Sequence, residues 1–257
     1  MIFLSVSRMI SRRVLVAAVF LSIAQASPTR PVTFNEVSPA SPAIIIGFVG
    51  GFVKHDDMVH TEVQIAARLR TEYATRAVVE TFENHNGEKA YRQILAVLDA
   101  NHDGTLSVAE KKNARIILYG HSWGASEVIA LARRLDKEGI PVLLTVQVDS
   151  VKKNGEDDEF IPANVLQAVN FYQADGLLRG EPEIRAADAS RTRIIGNFRF
   201  HYDAGSYNCA NYPWYNRMFM KSHTQIECDP KVWNEVESLI RSNLLAAAAA
   251  GADASAP

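Results

Sequence analysis

Ser122 lies in the run Ile116-Ile117-Leu118-Tyr119-Gly120-His121-Ser122-Trp123-Gly124. Four apolar residues read as a buried strand, and a helical pattern begins at Ala125. Strand, sharp turn and helix around Gly-x-Ser-x-Gly form the context of a strained nucleophile turn. No Cβ fits two residues either side of the serine, hence Gly120 and Gly124. Such a turn lifts the hydroxyl clear of the sheet. It also leaves the Trp123 N–H at a helix start, where a developing oxyanion gains from it. An inert βα turn would carry the same glycines.

A serine hydroxyl needs a base, and the base needs an orienting carboxylate. Of the seven histidines, His121 adjoins the serine but should point away from its hydroxyl. His55 and His60 precede or open a helix near the first strand. His85 and His102 fall in polar loops, and His201 falls in a strand. His223 combines a late loop position with a terminal helix that follows it, six residues before that helix's cap. Asp149 stands at the carboxyl end of the buried run Val142 to Val148, a costly place for a charge unless it is paired. Asp175, in Ala174-Asp175-Gly176, suits a polar turn equally well.

These elements must be positioned by a sheet. Ala43 to Phe48, Ala77 to Phe82, Ala114 to Tyr119, Val142 to Val148, Val169 to Gln173 and Ile194 to Tyr202 read as strands. Helical patterns fall at Met58 to Tyr73, Gly87 to Leu98, Ala125 to Leu135 and after Asp229-Pro230, with a helical turn at Asn164 to Ala168. The alternation predicts an α/β fold with a mainly parallel sheet flanked by helices. Reactive groups then gather at the carboxyl ends of the strands.

Gly-His-Ser-Trp-Gly, the late His223 and the glycine-rich turn after the first strand resemble the α/β-hydrolase family over residues 43–245. The resemblance implies Ser122 as nucleophile and His223 as general base. It implies the Trp123 N–H as one oxyanion donor and the Phe48 to Gly51 turn, Gly50 above all, as the second. It places the acid at Asp175 in most members and at Asp149 in some; the buried strand end favours Asp149. A small acyl substrate would be cleaved as a carboxylic ester or lipid, and thioesters or amides share the same chemistry. No long lid insertion is evident. The pocket would be open, or covered by residues 150–190 and by Tyr207, Tyr212, Trp214, Tyr215 and Phe219. Packing around a disulfide accounts for those aromatics equally well.

Asp99 to Glu110 (Asp-Ala-Asn-His-Asp-Gly-Thr-Leu-Ser-Val-Ala-Glu) resembles an EF-hand calcium loop, inserted over residues 88–113 before the nucleophile strand. Oxygen ligands fall at Asp99, Asn101 and Asp103, the Thr105 carbonyl takes the seventh position, and Ser107 acts directly or through water. Glu110 would be bidentate, and Gly104 permits the sharp turn. No second loop pairs with it, and a capping box over Ser107 and Glu110 is the competing explanation. A calcium ion here would be structural, since every ligand precedes the strand that carries Ser122. The rival to an enzyme is a calcium-binding interaction protein on an inactive hydrolase scaffold.

The remaining sequence bounds these readings. The chain has 257 residues, 47% hydrophobic and 22% charged, with a formal charge of -2, which fits a globular protein without nucleic-acid partners. Residues 1–26 read as a signal peptide: Arg8, Arg12 and Arg13, then an apolar run, then Ala24-Gln25-Ala26. Its removal leaves 24 basic against 29 acidic residues, a charge of -5, and no stable membrane span. Residues 27–42 read as a linker and residues 246–257 as a disordered Ala-rich tail. A secreted or periplasmic location makes Cys209 and Cys228, an even pair, candidates for one disulfide.

Overall fold

The run from Ala43 to Val49 has no polar face, so it can only lie inside a sheet covered on both sides. In the computed structural model, described here for residues 42–202, 207 and 209–253, it is β1 (Ala43–Val49), buried at every position. Next in order come α1 (Thr61–Glu72), β2 (Ala77–Glu83), α2 (Gly87–Leu98), α3 (Val108–Lys112), β3 (Ile116–His121) and α4 (Trp123–Lys137). β4 (Val142–Val148), β5 (Phe160–Ile161), β6 (Val165–Gln173), β7 (Arg185–Ala186) and β8 (Arg193–Phe200) follow. The chain closes with α5 (Trp214–Phe219), α6 (Lys221–Cys228) and α7 (Pro230–Asp253).

Six strands form one sheet in the order β2-β1-β3-β4-β6-β8, every pair parallel. β5 and β7 form a separate two-stranded pair. Alternate residues of each strand feed opposite faces. Ile44, Ile46, Phe48, Ile116 and Leu118 pack under α2 and α4. Ile45, Ile117, Tyr119, Leu144 and Val146 pack under α1 and α7, with Trp233 the largest fully buried side chain. This is the expected α/β architecture.

The chain leaves β1 for β2 on one side and returns with β3 on the other. Such a reversal opens a crevice at the carboxyl ends of β1 and β3. Gly50 follows β1, and Ser122 follows β3.

Two expectations for secondary structure change. Asn164 to Ala168 is no helical turn: β6 is one strand paired with β4 and β8. The Asn164 side chain instead donates to the Ala132 and Ile140 carbonyls at 3.0 and 2.9 Å. Pairing on both sides and burial outweigh the local pattern. The Ala-rich segment expected as a disordered tail continues α7 to Asp253, because alanine is the strongest helix former. The signal peptide, the linker up to residue 41 and residues 254–257 lie outside the described residues. Among the described residues no helix is long and apolar enough to cross a membrane.

Candidate active site

Ser122 sits between β3 and α4 with φ 57° and ψ -127°, a conformation that costs a non-glycine residue about 1–3 kcal/mol. The surroundings hold it there. The Ser122 N–H donates to the Val148 carbonyl at 3.0 Å, and its own carbonyl accepts from Ala125, Ser126 and Val151. A Cβ on Gly120 would lie 2.6 Å from the Gly124 carbonyl carbon, and one on Gly124 would lie 2.3 Å from the Phe48 carbonyl oxygen. Both glycines are therefore demanded by close approach.

The bond to Val148 places Ser122 beside the next residue, Asp149. Asp149 also has positive φ, 46°, and is fully buried. His223 donates from Nδ1 to Asp149 Oδ2 at 2.6 Å. Gln173 adds two more bonds to the same carboxylate: its N–H donates to Oδ1 at 3.0 Å and its Nε2 to Oδ2 at 2.8 Å. A Cβ on Gly180 would meet Asp149 Oδ1 at 2.2 Å, so glycine there lets the loop close over the carboxylate. Three donors thus converge on the Asp149 carboxyl and fix its orientation. Asp175 lies apart from this set: it accepts from the Tyr202 N–H and stands near Arg199 and His201.

His223 is not in a loop, as its position in the sequence suggested. It lies on α6, whose eight residues have no side-chain cap. Such a short helix is too weak to form on propensity alone, so tertiary contact makes it. Cys209 and Cys228 are joined in a disulfide that encloses α5 and α6.

Gly50 presses against the nucleophile turn: an added Cβ would be 2.8 Å from Ser122 Cβ. Gly51 follows with φ 49°. Trp123 is the first residue of α4, directly after the serine. Phe52 is largely exposed and sets its ring edge-on to Trp123, centroids 5.7 Å apart. The aromatic stretch divides: Tyr207 packs on Tyr202 and Tyr212 on His60, while Trp214 and Tyr215 are exposed.

Behind the turn lies a buried cluster that no sequence pattern announces. His60 Nδ1 is hydrogen-bonded to Glu227 Oε1. His121 Nδ1 lies 3.5 Å from Glu227 Oε2 and 3.7 Å from Glu62 Oε1. The His121 and His223 rings face each other with centroids 4.5 Å apart. Burial, reinforced by the Glu227 charge, holds the Glu62 carboxyl well above the usual range. Burial pushes His121 down to about 4, although the Glu227 charge opposes this. Burial would raise Glu227, but His121 and the hydrogen bond from His60 outweigh it and lower it. Burial would lower His60, yet its bond to Glu227 raises it. His60 and Glu62 straddle the start of α1, and Glu227 stands on α6 one helical turn from His223.

The loop from Asp99 to Glu110 closes on itself. Asp99 accepts from the Asp103 and Gly104 N–H groups at 3.2 and 2.9 Å, and Asp103 accepts from the Thr105 N–H at 2.8 Å. Gly104 takes φ 82°. Glu110 reaches back to the Ala100 N–H at 3.1 Å while forming a capping box with Ser107. Leu106 packs against the α2–α4 core. Acidic and carbonyl oxygens in one closed loop suit a hard divalent cation.

No protein-family model matches this chain, and no curated protein does. Solved structures similar to it include an esterase/lipase from an uncultured bacterium, 11% identical, with a TM-score of 0.43 over 80% of this chain and 79% of that one. A thermostable esterase from Pseudomonas putida is 12% identical, with a TM-score of 0.43 over 81% and 76%. A cutinase-like protein from Cryptococcus sp. is 12% identical, with a TM-score of 0.40 over 80% and 97%. Strand order and the strained turn, rather than these likenesses, locate the site.

Proposed function

We propose that this chain is a serine hydrolase of the α/β-hydrolase type, cleaving carboxylic esters through an acyl-enzyme at Ser122. The observation that carries the reading is the buried His223–Asp149 bond of 2.6 Å, with the strained Ser122 tied by its N–H to Val148, the residue before Asp149. Donation from Nδ1 leaves the Nε2 lone pair as the base.

In the first half-reaction the Ser122 hydroxyl adds to the ester carbonyl and its proton passes to His223 Nε2. The Trp123 N–H and the Gly50 turn receive the oxyanion. Collapse breaks the ester C–O bond, and the alcohol leaves with the proton from His223. Water then adds to the acyl-enzyme, again giving a proton to His223. The carboxylic acid departs as Ser122 regains its proton. Asp149 stays ionised and orients the imidazole throughout.

Two finer points belong to this reading. The basic and apolar N-terminus and the disulfide favour export. The closed oxygen-rich loop favours one structural calcium ion held by Asp99, Asn101, Asp103, Thr105 and Glu110, at the end of β3 remote from Ser122.

A fluorophosphonate probe on the purified mature protein tests the chemistry. Labelling of wild type that vanishes in Ser122→Ala and His223→Ala supports it. A folded, calcium-replete protein that takes no label overturns it in favour of a calcium-binding, non-enzymatic role.

A further inference from the structure

The His60–Glu62–His121–Glu227 cluster has no part in the mechanism above, and burying it is costly. His60, Glu62 and Glu227 bring one ligand atom each within 4.8 Å of one another. His121 Nδ1 adds contacts of 3.5 Å to Glu227 and 3.7 Å to Glu62. A tetrahedral ion with bonds of about 2.0–2.1 Å holds its ligand atoms about 3.3–3.4 Å apart, near the two His121 contacts; the ion would replace the direct hydrogen bond between His60 and Glu227. A second observation points the same way. Glu62 is 0% exposed, and neither of its carboxylate oxygens has a hydrogen-bond partner. Satisfied structures rarely leave such a group orphaned.

We propose that His60, Glu62, His121 and Glu227 form a closed, four-ligand site for a divalent transition cation of the zinc class, buried behind the Ser122 turn. Two imidazole nitrogens and two carboxylate oxygens are a zinc-type donor set, unlike the oxygen-only loop at Asp99 to Glu110. Two carboxylates and a doubly charged ion sum to zero, so neutral imidazoles complete a set with no net charge to bury. Four protein ligands leave no open position, which makes the ion structural. It would staple three segments: the start of α1, the end of β3 and α6. Because Glu227 shares α6 with His223, the ion would also fix the helix that delivers the base. The site does not depend on the esterase reading.

Metal analysis of the full mature chain tests this with no recourse to activity. The expected result is about one zinc per chain after purification without chelator, and a four-coordinate d–d spectrum when cobalt(II) replaces it. Glu62→Gln and Glu227→Gln should weaken zinc binding by at least about 100-fold, more than loss of an outer-shell partner costs. Glu110→Gln and His223→Ala should retain zinc. Should the Glu62 and Glu227 variants fail to fold, the wild-type cobalt spectrum and a zinc-dependent rise in Tm decide. A folded wild type that binds no zinc at about 10 μM free metal overturns the proposal and leaves a hydrogen-bonded His–Glu pair. Zinc retained in Glu62→Gln but lost in His223→Ala overturns it too, by moving the metal to His121, Asp149 and His223.

Discussion

Two polar clusters stand at opposite ends of β3 and are built in opposite ways. The loop from Asp99 to Glu110 draws its groups from twelve consecutive residues, lies in solvent, and satisfies its carboxylates with its own backbone N–H groups. The cluster behind Ser122 draws His60, Glu62, His121 and Glu227 from three distant segments and buries all four. Contiguous residues satisfy one another before the fold is complete. The distant ones meet only after it is, so their contacts report on the whole sheet. Damage to the loop should stay local, and damage behind the turn should spread.

The largest effects belong to the buried side. Asp149→Asn should lower kcat by about 10^4-fold, as expected when an imidazole loses its orienting carboxylate, whereas Asp175→Asn should stay within about twofold. Steady-state kinetics on a short acyl ester separates the two, and equal losses would break the contrast. Next, Glu227→Ala strands a buried His60 and should cost about 3–5 kcal/mol in urea denaturation. Ser107→Ala, which removes the α3 cap on the loop side, should cost about 1 kcal/mol. If the two costs were equal, the loop would be as integral to the fold as the buried cluster.

Calcium gives a smaller signal. Added calcium should raise Tm, and Glu110→Gln should erase that rise while leaving ester hydrolysis by the calcium-free protein unchanged. A melting curve indifferent to calcium would remove the ion from the loop. The smallest effect lies at the end of β2. Burial works against ionisation of Glu83, but hydrogen bonds from His55, Asn86 and the backbone prevail and lower it to about 2. A carboxyl depressed by folding stabilises the native state above its ordinary range near 4.5, and that contribution fades as pH falls toward 2. Asn86→Ala should flatten the acid limb of a stability–pH curve, and an unchanged limb would remove Glu83 from the account.

What the sequence discloses follows the same division. β1, β3 and β4 are legible because strands buried on both faces have no polar side. Gly120 and Gly124 are legible because backbone contact leaves no room for a Cβ. The cysteine pair needs only a count. His223 can be singled out by order along the chain, but its helix cannot, because α6 is held by packing and the disulfide. Gln173, which orients Asp149, looks like any strand-end residue. Local geometry predicts that His121 turns away from the serine hydroxyl; that its ring faces His223 depends on α6 docking. His60, Glu62 and Glu227 carry no periodicity, since 165 positions separate Glu62 from Glu227.

The disulfide has a consequence in time as well as in space. Cys209 and Cys228 bracket the segment that carries His223 and Glu227. Before they are joined, that segment is tied down by its packing and by the bonds of His223 to Asp149 and of Glu227 to His60, and the loop-closure entropy of the free chain opposes its docking. None of the six strands of the main sheet, and neither glycine of the serine turn, lies within it. A chain whose cysteines are still reduced would thus lack the cross-link that holds the His223 helix in place. Oxidation would then act as a commissioning step for the helix that carries His223.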